Sequence, residues 1–116
     1  MKGGDIMLNQ TVLVGRLTSD PEVREIEGGK KVTNITLAVP RSYKNMNGEY
    51  DTDFIPCVLW SGVAENAAEY CHKGDLIGIR GRIQSRKVEF DEEKKREITE
   101  VIAEKLTFLS NKKVED

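Results

Sequence analysis

The chain has 116 residues, 38% hydrophobic and 33% charged, which is enough for one domain around one core. This composition excludes a disordered polymer, and the longest uncharged apolar runs, Thr36 to Pro40 and Ile55 to Trp60, are too short to cross a membrane as a helix. Lys plus Arg is 18 against 20 for Asp plus Glu, a net charge of -2, so the basic excess of a nucleic-acid binder is missing overall and any such role rests on where the charges sit.

Met1 to Gln10 lacks the apolar core of a signal peptide, and two cysteines do not make a secreted disulfide scaffold. The expectation is a cytoplasmic protein with loose ends at residues 1–6 and 111–116 around a domain over 7–110. Leu8 to Leu17 predicts a first strand, with Val12 and Val14 alternating with Leu13 and Gly15. Thr18-Ser19-Asp20-Pro21 is turn chemistry, and the short piece Glu22 to Ile26 runs into a second turn at Gly28-Gly29. Val32 to Arg41 alternates Ile35, Leu37 and Val39 against Asn34, Thr36 and Ala38, the pattern of a half-buried strand. A hairpin tip follows at Lys44 to Gly48, where Asn-Gly supplies positive φ. Thr52 to Trp60 is a third strand, with Phe54, Pro56, Val58 and Trp60 on one side and Ile55, Cys57 and Leu59 on the other. Pro56 cannot donate to a ladder, which predicts an edge or bulge there.

The period then changes to helical. Ser61 or Gly62 caps a helix whose apolar face holds Val63, Ala67, Tyr70 and Cys71, with Ala64 and Ala68 beside it, Lys73 near its carbonyl end and Gly74 as its stop. Leu76 to Lys87 returns to strand, with Ile77, Ile79 and Ile83 on one face and Gly78 and Gly81 marking a bend or a close backbone approach. Asp91 to Lys95 is a charged hairpin tip. Arg96 to Leu109 is a last strand, with Ile98, Ile102, Leu106 and Phe108 on one side and Thr99, Val101, Ala103 and Leu109 on the other. Three strands, one helix and two strands suit an all-β fold with one helix: the five-stranded Greek-key barrel of the OB-fold, with the helix between strands 3 and 4. An open antiparallel α+β sheet fits the same pattern.

Catalysis has little material. His72 stands beside Cys71 on a helix end, where adjacent residues diverge by about 100° and do not form a nucleophile and base pair. Cys57, Cys71 and His72 lack zinc spacing, and the glycines lack the lysine and serine of a phosphate loop, so no cofactor or metal is expected and the chain reads as no enzyme. Binding is better supplied. Arg80, Arg82, Gln84 and Arg86 share strand parity about 7 Å apart, with Lys73 and Lys87 adding charge. This is either a phosphate-tracking row or a solvated sheet face. Phe54 and Trp60 share a side, and Tyr43 and Phe90 lie near hairpins. Such rings are either core or platforms on which bases stack.

Several segments resemble the bacterial single-stranded DNA-binding protein family, in its order and spacing. They are Met7-Leu8-Asn9-Gln10-Thr11-Val12-Leu13-Val14-Gly15-Arg16-Leu17, Asp20-Pro21-Glu22-Val23-Arg24, Asn34 to Val39, Ala64-Glu65-Asn66, Tyr70, Lys73-Gly74, Gly81 to Arg86 and Thr99-Glu100-Val101. The resemblance covers about Met7 to Leu109. It implies an OB-fold homotetramer that wraps single-stranded DNA without base preference in replication, recombination and repair. It places the family's stacking rings on Tyr43, Phe54 and Trp60, and its basic contacts on Arg24, Lys73, Arg86 and Lys87, with Arg41 and Arg82 beside them. A fourth family ring falls on Val88, and Phe90 is the nearest substitute; a lysine of some members falls on Gly62. Met1 to Ile6 precedes the family's usual start. The family's flexible tail and acidic tip, which recruit replication and repair proteins, have no counterpart here, so the resemblance carries DNA binding and not partner docking. A truncated chain, a short second copy used in DNA uptake and a bacteriophage protein all fit. An OB-fold protein-interaction module of primosome type is the alternative reading.

Overall fold

The computed structural model describes residues 6–89 and 91–110. The expectations for residues 1–5, for Phe90 and for the tail 111–116 lie outside the described residues. The elements are β1 (Thr11–Leu17), β2 (Arg24–Glu25), β3 (Lys31–Lys44), β4 (Tyr50–Trp60), α1 (Ser61–Tyr70), β5 (Leu76–Glu89) and β6 (Lys95–Ser110). The sheet runs β1-β5-β6-β4-β3-β2, and β1 closes back on β3 through Arg16 opposite Ala38 and Leu17 opposite Leu37. Five strands therefore form a closed barrel, with β2 a short addition beside β3. Among the described residues only β4 and β6 run parallel, Cys57 to Leu59 against Val101 to Ala103. The architecture is the OB-fold, with its helix between β4 and β5.

Alternation fills the barrel. Ile35 and Leu37 of β3, Cys57 and Leu59 of β4, Ile77 and Ile79 of β5, and Val101 and Ala103 of β6 meet inside, joined by Leu17 of β1. Leu37, Leu59 and Ile77 are fully buried, each contributing about 1.5–3 kcal/mol of transfer free energy. Helix α1 packs on this cluster through Ala64 and Ala67, followed by Cys71, and these short side chains let it lie close to the strands. The expected face is corrected at Tyr70, which is exposed at the last helical residue. The helix also stops sooner than its glycine suggests: Cys71 is already extended, and Gly74, at φ 91°, instead donates its N–H to the Leu17 carbonyl at 2.8 Å. Lys73 therefore lies beyond the last turn. No side chain caps the start, where Ser61 takes a left-handed φ of 51° as the chain swings from β4 into α1.

The last strand departs from the sequence pattern. Along β5 and β6 the register runs Arg80 opposite Lys105, then Gly81 opposite Ala103, so Glu104 is an extra residue in β6. A Cβ on Gly81 would collide with the Ile102 carbonyl, so glycine is what permits this close approach. The bulge inverts parity. Ile102 faces outward with Val58, whereas Leu106 packs on the core, so Ile98, Ile102, Leu106 and Phe108 do not share one side. Past Gly81 the β5–β6 ribbon outruns the barrel, which is why Ile83 shares parity with Ile77 and Ile79 yet is half exposed. At Pro56 the expectation of an edge holds: β4 pairs with β3 there, but its pairing with β6 begins only at Cys57.

Candidate nucleic-acid interface

Residues directly opposite one another in a sheet share a face. On the outer face, Val32, Asn34 and Ala38 of β3 stand opposite Trp60, Val58 and Phe54 of β4. Val58 adjoins Ile102 of β6, and Ile102, Glu100 and Ile98 stand opposite Arg82, Gln84 and Arg86 of β5. Arg24 of β2 completes the surface opposite Val32. A groove of about 320 Å³ opens here, floored by Val32, Val58 and Ile102 and edged by Trp60, Arg24 and Arg86.

The rings decide between core and platform. Phe54 is 63% exposed and Trp60 37%, and the other described aromatics, Tyr43, Tyr50, Tyr70 and Phe108, are exposed too. None of them belongs to the interior, which is built from aliphatic side chains, cysteine and alanine. Tyr50 was not legible as a candidate, although it shares parity with Phe54 and Trp60. It stands opposite Lys44, whose Nζ lies 5.8 Å from its ring centre. Tyr43 lies next to Lys44 on the other strand of that hairpin.

The basic residues divide. Arg24 and Arg86 line the groove. Arg82 lies on the same face and donates from Nη1 to Gln84 Oε1 at 2.7 Å, with Glu104 4.0 Å from its Nε. Arg86 donates from Nε to Glu100 Oε1 at 2.8 Å, and that carboxylate is almost entirely buried at 7% exposure. Arg80 stands one step away, between Val12 and Lys105, separated from Arg82 by the bulge. Two expected members do not join the row. Lys87 has the parity of Ser85 and stands opposite Glu97, on the reverse of the ribbon. Lys73 lies in the α1–β5 loop, where its backbone N–H donates to Asp20 Oδ1 at 2.7 Å, outside the groove lining. Arg41 is engaged: its Nε and Nη2 grip the Asp53 carboxylate at 3.0–3.2 Å, and Asp51 lies 3.8 Å away. The hydrogen bond from Arg41 holds the Asp53 carboxyl below the usual aspartate range.

Asn34 and Glu100 are groove residues that sequence reasoning did not single out as contacts, whereas Gln84 already stood in the arginine row. Their signal was parity, since Asn34 alternates with buried Ile35, and Glu100 and Ile102 flank buried Val101. Among the described residues no three of His, Cys, Asp and Glu gather to hold a metal ion. His72 is exposed, 3.9 Å from Asp75 Oδ2. Cys57 and Cys71 are buried free thiols, and burial pushes the Cys57 thiol up to about 12. Among the described residues no helix is long and apolar enough to cross a membrane.

A small closed barrel carrying open rings and guanidiniums on one outer strand face is an OB-fold nucleic-acid binder. The profile described as "Single-strand binding protein family" matches residues 8–109. The chain belongs to the single-strand binding protein family. It is 48% identical over 106 residues to "Single-stranded DNA-binding protein B" of Bacillus subtilis, covering 91% of this chain and 94% of that one. It is also 48% identical over 106 residues to "Single-stranded DNA-binding protein" of Lactiplantibacillus plantarum, with 91% of this chain and 53% of that one covered. With the protein of the same name from Halalkalibacterium halodurans it shares 52% over 103 residues, 89% of this chain and 61% of that one. The chain thus spans nearly all of the first relative and about half to three fifths of the other two.

Proposed function

We propose that this chain holds single-stranded DNA across the outer face of β3, β4, β5 and β6, largely irrespective of sequence, and so protects it in replication, recombination and repair. The observation that carries the reading is the open Phe54 and Trp60 on the same sheet face as Arg24, Arg82 and Arg86. Bases stack on the rings, each contact contributing about 1–3 kcal/mol, while the guanidiniums draw the phosphates. Tyr43 and Tyr50 extend the platform to the β3–β4 hairpin. The role is binding rather than catalysis, in the cytoplasm on the nucleoid.

The working unit of this proposal is a homotetramer. Val12 and Val14 of β1 and Leu109 of β6 form an exposed apolar face, and β1 pairs with β3 only at Arg16 and Leu17, which leaves its remaining edge open to another copy. A few rings per protomer supply a modest gross energy, and joining several faces on one strand multiplies the affinity. The test is a titration of single-stranded DNA, duplex DNA and single-stranded RNA, with light scattering for the assembly. Salt-sensitive quenching of Trp60 by oligo-dT, with duplex far weaker, is the expected result. Absence of quenching at saturating strand, or a monomer in scattering, refutes the respective part.

A further inference from the structure

We propose that Asn9 is a positioning residue for strand binding: its side-chain amide latches the β5 half of the β5–β6 ribbon and so holds Arg82 and Gln84 in place. The inference rests on the single-strand reading above and adds a residue that lies outside the strand-binding face. The β1–β5 ladder runs from Arg16 opposite Leu76 to Thr11 opposite Gly81, where β1 begins. Continued past Thr11, the same register would set Asn9 opposite Ile83. There the backbone no longer pairs. Instead Asn9 Nδ2 donates to the Ile83 carbonyl at 2.7 Å, and the Ile83 N–H donates to Asn9 Oδ1 at 2.8 Å. One side chain thus supplies both the donor and the acceptor that a strand residue would have brought.

The place of this latch gives it a function. Gly81 opposite Ala103 marks the bulge, and past it the ribbon leaves the barrel. On the β6 side the root of the ribbon is sewn to β4, with Cys57 to Leu59 beside Val101 to Ala103. On the β5 side the pairing with β1 has ended, and Ile83 is half exposed, so packing holds it weakly. Among the described residues, the Asn9 amide is the one hydrogen-bonding group from outside the ribbon that reaches β5 beyond Gly81. It grips the peptide link from Arg82 to Ile83 by its N–H and the link from Ile83 to Gln84 by its carbonyl. Those two neighbours project from the opposite face to Ile83. Arg82 Nη1 donates to Gln84 Oε1 at 2.7 Å, which joins them as one unit, and Gln84 lines the groove together with Trp60 and Arg24. The tilt of the ribbon therefore sets the width of the groove, and Asn9 fixes that tilt from the open edge of β5.

The test is a double-mutant cycle. Asn9→Ala removes both bonds at an exposed position, and it is made in the wild-type chain and in Arg82→Ala/Gln84→Ala. Quenching of Trp60 by oligo-dT at fixed salt gives Kd, calorimetry gives Tm and light scattering gives the mass. In the wild-type chain Asn9→Ala weakens binding by about three- to tenfold, the effect of one or two hydrogen bonds, while Tm moves by no more than a few degrees and the mass is unchanged. Without Arg82 and Gln84 the same change weakens binding by less than about twofold, because the latch has nothing left to place. A general loosening of the fold would lower affinity alike in both backgrounds. Equal losses in the two, or no loss in the wild-type chain, overturn the proposal. Asn9→Asp is the second variant: its carboxylate accepts from the Ile83 N–H but has no hydrogen for the Ile83 carbonyl. It gives an intermediate loss, again confined to the chain that keeps Arg82 and Gln84, and an equal loss without them counts against positioning even if Asn9→Ala fails to fold. A wild-type protein that leaves oligo-dT unbound removes the single-strand reading and this proposal with it.

Discussion

Phe54→Leu separates stacking from stability. Phe54 is 63% exposed, so of roughly 200 Å² of phenylalanine surface about 75 Å² is covered by the protein. At about 25 cal/mol/Å² that contact contributes about 2 kcal/mol at most. Leucine keeps most of it, so the expected loss of stability is below about 1 kcal/mol, a few degrees in Tm. The open part of the ring is what a base would cover. Removing its π face is expected to lose about 1–2 kcal/mol of binding per protomer, roughly 5- to 30-fold in affinity. Trp60 is the only tryptophan, so its quenching by oligo-dT reports occupancy without ambiguity, and calorimetry reports Tm. An unchanged affinity would refute the stacking role, and a collapse of Tm would show the ring to be structural.

Arg24→Ala should flatten the dependence of log K on log salt by about 0.7, measured on oligo-dT, whereas Arg41→Ala and Arg86→Ala should each change it less, because Asp53 with Asp51 neutralises the first guanidinium and Glu100 the second. The Asp53 carboxyl is depressed by Arg41, so the pair is fully formed above the ordinary aspartate value near about 3.9 and dissolves only as pH falls through its lower value; pH titrations between about 5 and 8 should show no release of Arg41. Gly81→Ala should cost about 1–3 kcal/mol or more in denaturant unfolding, since its Cβ meets the Ile102 carbonyl, and an unshifted midpoint would refute the close approach. With its thiol pushed up to about 12, Cys57 holds about one part in ten thousand as thiolate at pH 8, so it should resist a thiol reagent until the protein is denatured.

Strands with one buried face were readable because alternation is a strong signal: Ile35 and Leu37 against Asn34 and Thr36, or Phe54 and Trp60 against Cys57 and Leu59. The last strand was not, because both of its faces carry aliphatic residues and the extra Glu104 exchanges them midway without changing composition. Gly81 was the one visible trace of that device. Placement of charges failed for a different reason. Arg41 reads as free until the β3–β4 register brings Asp53 beside it, whereas Lys87, added to the row for its charge, has a parity opposite to Arg86 that was already legible and that the register with Glu97 bears out. Ring exposure likewise depends on which face the barrel fills, a question that strand period alone leaves open.

The aliphatic interior has an optical consequence. With its described chromophores on the outside, the protein should show a weak near-ultraviolet dichroism for its size. Its emission should respond more to what lies on the sheet than to whether the barrel is intact. Melting followed by fluorescence would therefore understate unfolding, and backbone signals or heat capacity are the faithful observables for this molecule.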